Sequence, residues 1–408
     1  MVTKAEGAYI EDTNGRRYLD FHGNNVHHIG YGHPKLKKAI AEQMDALPFA
    51  PRRFASESAL ALAKKLVEIA PGDLSKVLFT TGGSDAIEVA LKIARAATGR
   101  HKTISFWDAF HGAGFGAASV GGEQLFRSHV IGPLLPGTEH VAPFACYRCP
   151  YGYPDLNGEA QLEICKTTCA SFVRYVLEKE GDVAAVIAEP ARAVPYIPPP
   201  GYWQMVRQAC NDHGALLIFD EVPTGLGKTG KMFACEHDDV VPDILVLGKA
   251  LGGGILPIAA VLAKSELDVA GEFAFGHYTH EKNPVTAKAA LTTIEIIEKE
   301  GLVENAAELG KYMLEQLNLL KAKHSTIGDV RGRGLLVGVE LVLNQEEKTP
   351  ANDLAEDVLY RCLSKGLSFK LTMGNVMTLT PPLIIKKAQI DLSLEIIDQS
   401  LSEAEQAL

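Results

Sequence analysis

The chain has 408 residues, 47% hydrophobic and 22% charged, with 38 glycines and 21 prolines, proportions that exclude disordered, collagen-like and coiled-coil proteins. The 40 basic and 50 acidic residues leave a net charge of −10, so no basic excess is available for nucleic acid as a partner. The longest apolar stretch, Leu251 to Ala263, is broken by glycines and a proline and falls short of the roughly 20 residues that span a bilayer. Neither nucleic acid nor membrane is therefore an expected partner. The opening Met1–Gly15 has no apolar core, and the seven cysteines are an odd number. The expected compartment is the cytoplasm, not an exported disulfide framework.

In chain order, Tyr9–Asp12, a turn at Thr13-Asn14-Gly15, and Tyr18–Phe21 read as turns and short strands. A helix is predicted after Gly32-His33-Pro34, because Leu36, Ile40 and Met44 share one helical face, and a second over about 56–69. From residue 77 to about 263, apolar runs at 77–79, 103–105, 184–188, 215–219, 244–247 and 258–262 alternate with helical segments. That alternation predicts the α/β class, with a mainly parallel sheet covered on both faces. Ligands in such sheets bind beyond the carboxyl ends of the strands. Past about residue 290, a long helical stretch through Leu317 and Leu320 leads to the glycine-rich Arg331–Gly334 and a strand over 335–341. A helix over 353–365 and an extended segment at 376–379 complete a smaller α+β unit, which the N-terminal strands are expected to join. The expected division is 1–50 as the N-terminal part of the small domain, 51–290 as the large domain, and 291–408 as the C-terminal part of the small domain.

Three strand ends carry chemistry. Ala215–Phe219 runs into Asp220, and an ionised carboxylate there is costly without a cationic partner. A helix cap or surface pair is the plain reading; a positively charged ligand or a metal is the sharper one. Ile244–Leu247 runs through Gly248 into Lys249. Desolvation lowers a lysine's pKa and makes its amine nucleophilic towards carbonyls, although a single lysine more commonly snorkels to solvent. Third, Gly82-Gly83-Ser84 joins a strand to a helix over 86–97, where small residues and the helix dipole favour a phosphate. A carbonyl for Lys249, a ring cation for Asp220 and a phosphate for this turn are all present in pyridoxal 5′-phosphate (PLP).

At these residues the chain resembles the class III aminotransferase family, PLP enzymes of fold type I, from Gly7-Ala8-Tyr9 to Pro381-Pro382-Leu383. The family pattern Asp-Glu-x-Gln-Thr-Gly-x-Gly-Arg-Thr-Gly stands here as Asp220-Glu221-Val222-Pro223-Thr224-Gly225-Leu226-Gly227-Lys228-Thr229-Gly230. The resemblance implies that 51–290 is the PLP-binding domain, that Asp220 pairs with the pyridinium nitrogen, and that Val222 packs under the ring. It implies that Lys249 carries the cofactor and shuttles the proton. Phe110-His111-Gly112 matches an aromatic-His-Gly stretch, so Phe110 is expected on the other ring face, with His111 beside it. Gly83 and Ser84 correspond to the phosphate turn, and Glu189 to a glutamate near the cofactor. Thr279, ahead of Asn283-Pro284, matches a threonine that reaches the phosphate from the neighbouring subunit, which implies a homodimer with shared active sites.

The departures from the pattern bear on the reaction. Pro223 replaces a glutamine whose amide bonds the cofactor's phenolic oxygen, and proline has no such donor. Thr378 falls where many members carry an arginine that clamps an α-carboxylate. Arg192 stands where a neutral residue is common, either as a surface arginine or as an anion clamp for the far end of the substrate. Asn25, His27 and His28 belong to the N-terminal segment that lines the family's substrate pocket, though either histidine could be a packed structural one. The expected substrate is a small primary amine with an anionic group, phosphonate or phosphate before α-carboxylate. The expected reaction is elimination of ammonia from a hydroxylated aminophosphonate such as 1-hydroxy-2-aminoethylphosphonate. Transfer of the amino group to a keto acid, pyruvate or 2-oxoglutarate, is the alternative.

Two other features compete. Gly225-Leu226-Gly227-Lys228-Thr229 looks like a phosphate loop, but the required first glycine is Val222 and no helix opens there. Cys146, Cys149, Cys165 and Cys169 have nearly zinc-like spacing; a packed loop without metal is the expectation.

Overall fold

The structure, a computed structural model of the chain, describes residues 1–127, 129–155 and 159–407. Its centre is a seven-stranded sheet in the spatial order Leu74–Thr80, Ala259–Lys264, Ile244–Leu247, Leu216–Asp220, Val183–Ala188, Lys102–Phe106 and Thr138–Val141. Only Ala259–Lys264 runs antiparallel to its neighbours; the remaining pairings are parallel. The mainly parallel α/β sheet read from the apolar runs is present. Val183–Ala188 and Ile244–Leu247 are buried along their whole lengths, as strands with both faces covered must be. On one face the helix Gly83–Thr98 packs Ile87, Ala90 and Ala94 against Ile187, Ile218 and Val246. On the other, Trp203 meets Phe106, Phe144 and Phe219 edge-to-face, the geometry that aromatic quadrupoles favour.

Thr138–Val141 is an edge strand that the sequence reading did not contain, because Thr-Glu-His-Val has no apolar run to mark it. The long helical stretch past residue 290 is two helices, Pro284–Lys299 and Leu302–Lys323. They are separated at Gly301, whose φ of +63° ends one helix and admits the next.

Two smaller sheets lie outside the central one. Val2–Glu6, Tyr9–Asp12 and Arg17–Asp20 form a meander whose last strand pairs in parallel with Leu367–Ser368, so the start of the chain is tied to its last fifty residues. Ile327–Arg333, Leu336–Asn344, Val376–Leu379 and Lys370–Thr372 form the other. Ile327–Arg333 is a strand despite its two glycines, because it pairs over six positions with the buried Leu336–Asn344. Lys370–Thr372 turns back through Met373 and Gly374, both at positive φ, and pairs with Val376–Leu379 in a register that sets Lys370 opposite Thr378. Residues opposite one another share a face of the sheet, and so do residues two apart. Among the described residues, no helix is long and apolar enough to cross a membrane.

Candidate active site

The parallel strands deliver their polar residues to one edge of the central sheet. Asp220 ends its strand, Glu189 directly follows Ala188, and Lys249 follows Leu247-Gly248. Asp220 is buried. Its Oδ2 lies 2.8 Å from His111 Nδ1, and its Oδ1 accepts the Val222 N–H at 3.0 Å. His111 Nε2 is buried without a hydrogen-bond partner among the described residues. Two anchors thus fix the carboxylate while leaving it lone pairs for a ring nitrogen.

Val222 occupies the gap between two glycines. A Cβ added at Gly83 would come 3.3 Å from a Val222 methyl, and one at Gly248 would come 3.2 Å from it. The valine is held from both sides at the floor of the site. Across it, Ser84 Oγ accepts the Ala113 N–H at 3.0 Å, and a Cβ at Gly112 would lie 2.5 Å from that oxygen. The Phe110-His111-Gly112 loop is thereby clamped onto the first turn of the helix Gly83–Thr98, whose leading N–H groups have no partners within the helix. Phe110 stays exposed, its ring 4.5 Å from that of Phe126.

Lys249 opens a short turn with its φ at +43°, a strained value for a side chain with a Cβ. Burial lowers the pKa of its amine, against the raising influence of Asp220 and Glu189, and Lys370 adds to the lowering. Lys249 borders two hollows. One, of about 560 Å³, runs over Thr81 and Gly82. The other is a cleft of about 860 Å³ bordered by Asn25, Phe110, Glu189, Arg192, Pro223 and Thr378.

Glu189 is buried with both oxygens engaged, Oε2 by the Ala193 N–H at 2.8 Å and Oε1 by the Phe110 N–H at 3.5 Å. It ties together the two loops that wall the cleft. Arg192 is only 3% exposed. One Nη donates to the Asp108 carbonyl, the guanidinium lies 5.2 Å from the Tyr196 ring centre, and Nε and Nη1 have no partner among the described residues. Among the described residues no carboxylate lies within ion-pair distance of it. A buried cation in that state calls for an anion.

The expectation that His27 or His28 faces the cleft is corrected. His27 Nε2 lies 3.1 Å from the Asp20 carbonyl and His28 Nε2 3.3 Å from that of Gly225, both rings fully buried. Burial, with the nearby Lys228 charge, pushes His27 down to about 4 and His28 well below the usual range. The cause is local: Asn24 and Asn25 both have positive φ, which turns the chain so that His22, Asn24 and Asn25 border the cleft instead. Thr279 lies exposed on a turn and borders neither hollow of its own chain.

Glu123, Phe126, Lys370 and Thr372 also border the cleft and were missing from the sequence reading. Glu123 follows two glycines in a segment without periodicity, so nothing marked it. Lys370 and Thr372 were legible in principle, since Lys-Leu-Thr and Val-Met-Thr-Leu flank a Met-Gly-Asn turn and two such runs make a hairpin. Burial raises the Glu123 carboxyl; Lys370 and Arg192 oppose the shift, and Glu189 and Asp108 add to it.

Lys228, the lysine of the phosphate-loop lookalike, is fully buried and donates to the Pro381 carbonyl at 2.7 Å. Cys146, Cys149, Cys165 and Cys169 are free thiols around a separate apolar hollow with Phe144 and Tyr151. Burial pushes Cys146 up to about 11 and Cys169 up to about 12. Among the described residues, no three His, Cys, Asp or Glu side chains are grouped to hold a metal ion.

These residues fit pyridoxal phosphate. Asp220 offers a buried carboxylate to a ring nitrogen, Val222 a flat apolar floor, Lys249 an amine, and the helix start free N–H groups for a phosphate.

Comparison with known proteins agrees. The family model Aminotransferase class-III matches residues 1–401. The (R)-1-hydroxy-2-aminoethylphosphonate ammonia-lyase of Vibrio splendidus (strain 12B01) is 45% identical over 98% of this chain and 85% of its own length. The leucine/methionine racemase of Thermococcus litoralis is 37% identical over 100% of this chain and 91% of its own. A PLP-bound amine transaminase from an uncultivated Pseudomonas species superposes with a TM-score of 0.93 at 30% identity, over 99% of this chain and 95% of its own. A carboxylate, a lysine and a glycine turn at one sheet edge, within a match that spans almost the whole sequence, establish that this chain belongs to the class III aminotransferase family of PLP-dependent enzymes.

Proposed function

We propose that this enzyme is an ammonia-lyase that converts a hydroxylated aminophosphonate, of the kind named for its Vibrio splendidus relative, to an aldehyde and ammonia. The observation that carries the proposal is the cleft's anion chemistry. Thr378 has no charge to clamp an α-carboxylate, and its hydroxyl is 2.7 Å from that of Thr372. Arg192, by contrast, is a buried cation without an anion among the described residues.

Bound PLP supplies a carbonyl for the substrate amine and a ring that draws electrons from the neighbouring carbon. Asp220 keeps the ring nitrogen protonated, with His111 and the Val222 N–H holding the carboxylate in place. Lys249 Nζ takes the proton from the carbon beside the amine, and burial, by lowering its pKa, favours the free base that this step needs. Glu123, which borders the same cleft and whose carboxyl burial shifts upward, is the group that hands a proton to the departing hydroxyl. Water leaves, the released enamine takes water back as it hydrolyses, and ammonia departs. No keto acid is consumed.

The proposed assembly is a homodimer, in which the exposed Thr279 reaches the partner's phosphate site. The proposed compartment is the cytoplasm, in keeping with seven free thiols.

The test is incubation of the holoenzyme with 1-hydroxy-2-aminoethylphosphonate in the absence of keto acid. Multiple turnovers of ammonia with the cofactor still in its aldehyde form are expected. A single turnover that stops at pyridoxamine phosphate and is rescued by pyruvate or 2-oxoglutarate would make the enzyme a transaminase.

A further inference from the structure

The strand pair that removes the carboxylate clamp also supplies a different cation. Lys370 lies opposite Thr378 in the hairpin register, and Thr372 is bonded to Thr378 on the same face. All three border the cleft that contains Lys249 and Arg192. The lysine is exposed, and among the described residues its ammonium makes neither a hydrogen bond nor an ion pair. Its charge nevertheless acts within the cleft, on Lys249 and Glu123 alike, and the Arg192 charge acts on Glu123 as well.

Resting on the reading above, we propose that Lys370 and Arg192 together form a two-cation receptor for a tetrahedral phosphorus dianion, and that Lys370 is the residue that makes the enzyme choose a phosphonate over a carboxylate. A carboxylate has one charge and a planar face, which a single guanidinium matches. A phosphonate dianion has two charges spread over three oxygens, which a planar fork and a mobile ammonium from a different strand approach from separate directions. The two carboxylates in the cleft do not cancel these cations equally. Glu189 is committed to two backbone N–H groups. Glu123 borders the same cleft and has no side-chain hydrogen bond among the described residues, which leaves its carboxyl to the departing hydroxyl of the reaction proposed above.

The experiment uses ligands without an amine, so that binding is read apart from turnover. 2-Hydroxyethylphosphonate, inorganic phosphate and 3-hydroxypropionate are titrated calorimetrically into the holoenzyme and into its Lys370→Met and Lys370→Arg variants. Wild type should bind the phosphonate and phosphate more tightly than the carboxylate. Lys370→Met should weaken the phosphonate and phosphate about 10- to 100-fold, the scale of one lost charge-assisted contact. It should change the carboxylate less than about threefold, and Lys370→Arg should restore most of the loss. An unchanged phosphonate affinity in Lys370→Met, with cofactor absorbance intact, overturns the proposal, as does a wild type that prefers the carboxylate. Lys370-dependent phosphonate binding without ammonia release would leave this receptor standing and remove the proposed reaction.

Discussion

Lys228 is a buried lysine without a carboxylate partner among the described residues, and that state has a measurable signature. Its ammonium is fully buried and donates to the carbonyl of Pro381 at 2.7 Å, with that of Thr380 at 3.5 Å. Burial pulls its pKa from 10.5 to about 7, with Asp20 opposing the shift. Below about pH 7 the amine is charged in both the folded and the unfolded chain, and the full cost of burying the charge is present. Between about 7 and 10.5 the unfolded chain holds a proton that the folded chain has released, so stability rises with pH. The slope is about 1.4 kcal/mol per pH unit, or about 2.7 kcal/mol between pH 7.5 and 9.5. Above the unfolded pKa the cost is gone. Lys228→Met removes this dependence, and it leaves the Pro381 carbonyl unpaired at a cost of about 1–3 kcal/mol that does not change with pH. The informative quantity is therefore the change with pH in the difference between wild type and variant. Urea unfolding of both holoenzymes at pH 7.5 and 9.5, with cofactor loading matched, should show wild type gaining about 2–3 kcal/mol on Lys228→Met over that interval. His27 and His28 are held far below this window and add no slope. A difference that stays constant within about 0.5 kcal/mol would show that Lys228 keeps its charge in the fold, and would refute the reasoning.

Two further substitutions divide the proposed reaction into its proton transfers. Glu123→Gln should slow ammonia release about 100-fold or more, while the proton beside the amine still exchanges with solvent deuterium, as followed by NMR; equal loss of both would remove the acid role from Glu123. Lys249→Ala should abolish exchange and ammonia release together, so turnover near the wild-type rate would sink the assignment of the proton shuttle.

The central sheet was legible because its strands are apolar on both faces, a signal that survives without knowledge of any partner element. Strand ends were legible for the same reason: Asp220 and Lys249 are conspicuous because hydrophobic runs carry them. Thr138–Val141 was not legible, because an edge strand held on one side need not be apolar. The walls of the cleft were harder still. His27 and His28 follow the two asparagines in sequence, yet two positive φ angles send the histidines inward and the asparagines outward. Arg192 stands out in the sequence as a charge where a neutral residue is common, but its lack of an anionic partner among the described residues is a property of burial. Glu123 and Lys370 reach the cleft from segments far apart in the chain, brought together by a loop with no pattern and a hairpin whose register decides which face each residue joins.

The valine under the site has a consequence for how the enzyme tolerates change. Its methyls already lie 3.2–3.4 Å from where a Cβ would stand at Gly83 or Gly248, which is tighter than ordinary packing. Positions 83, 222 and 248 therefore share one volume, and a methyl gained at any of them must be surrendered at another. Substitutions there should combine far from additively, as neighbours in contact do. The three residues behave as a spacer of fixed thickness between two loops, and the height at which a flat ring rests above the sheet edge is set by that thickness rather than by any single side chain.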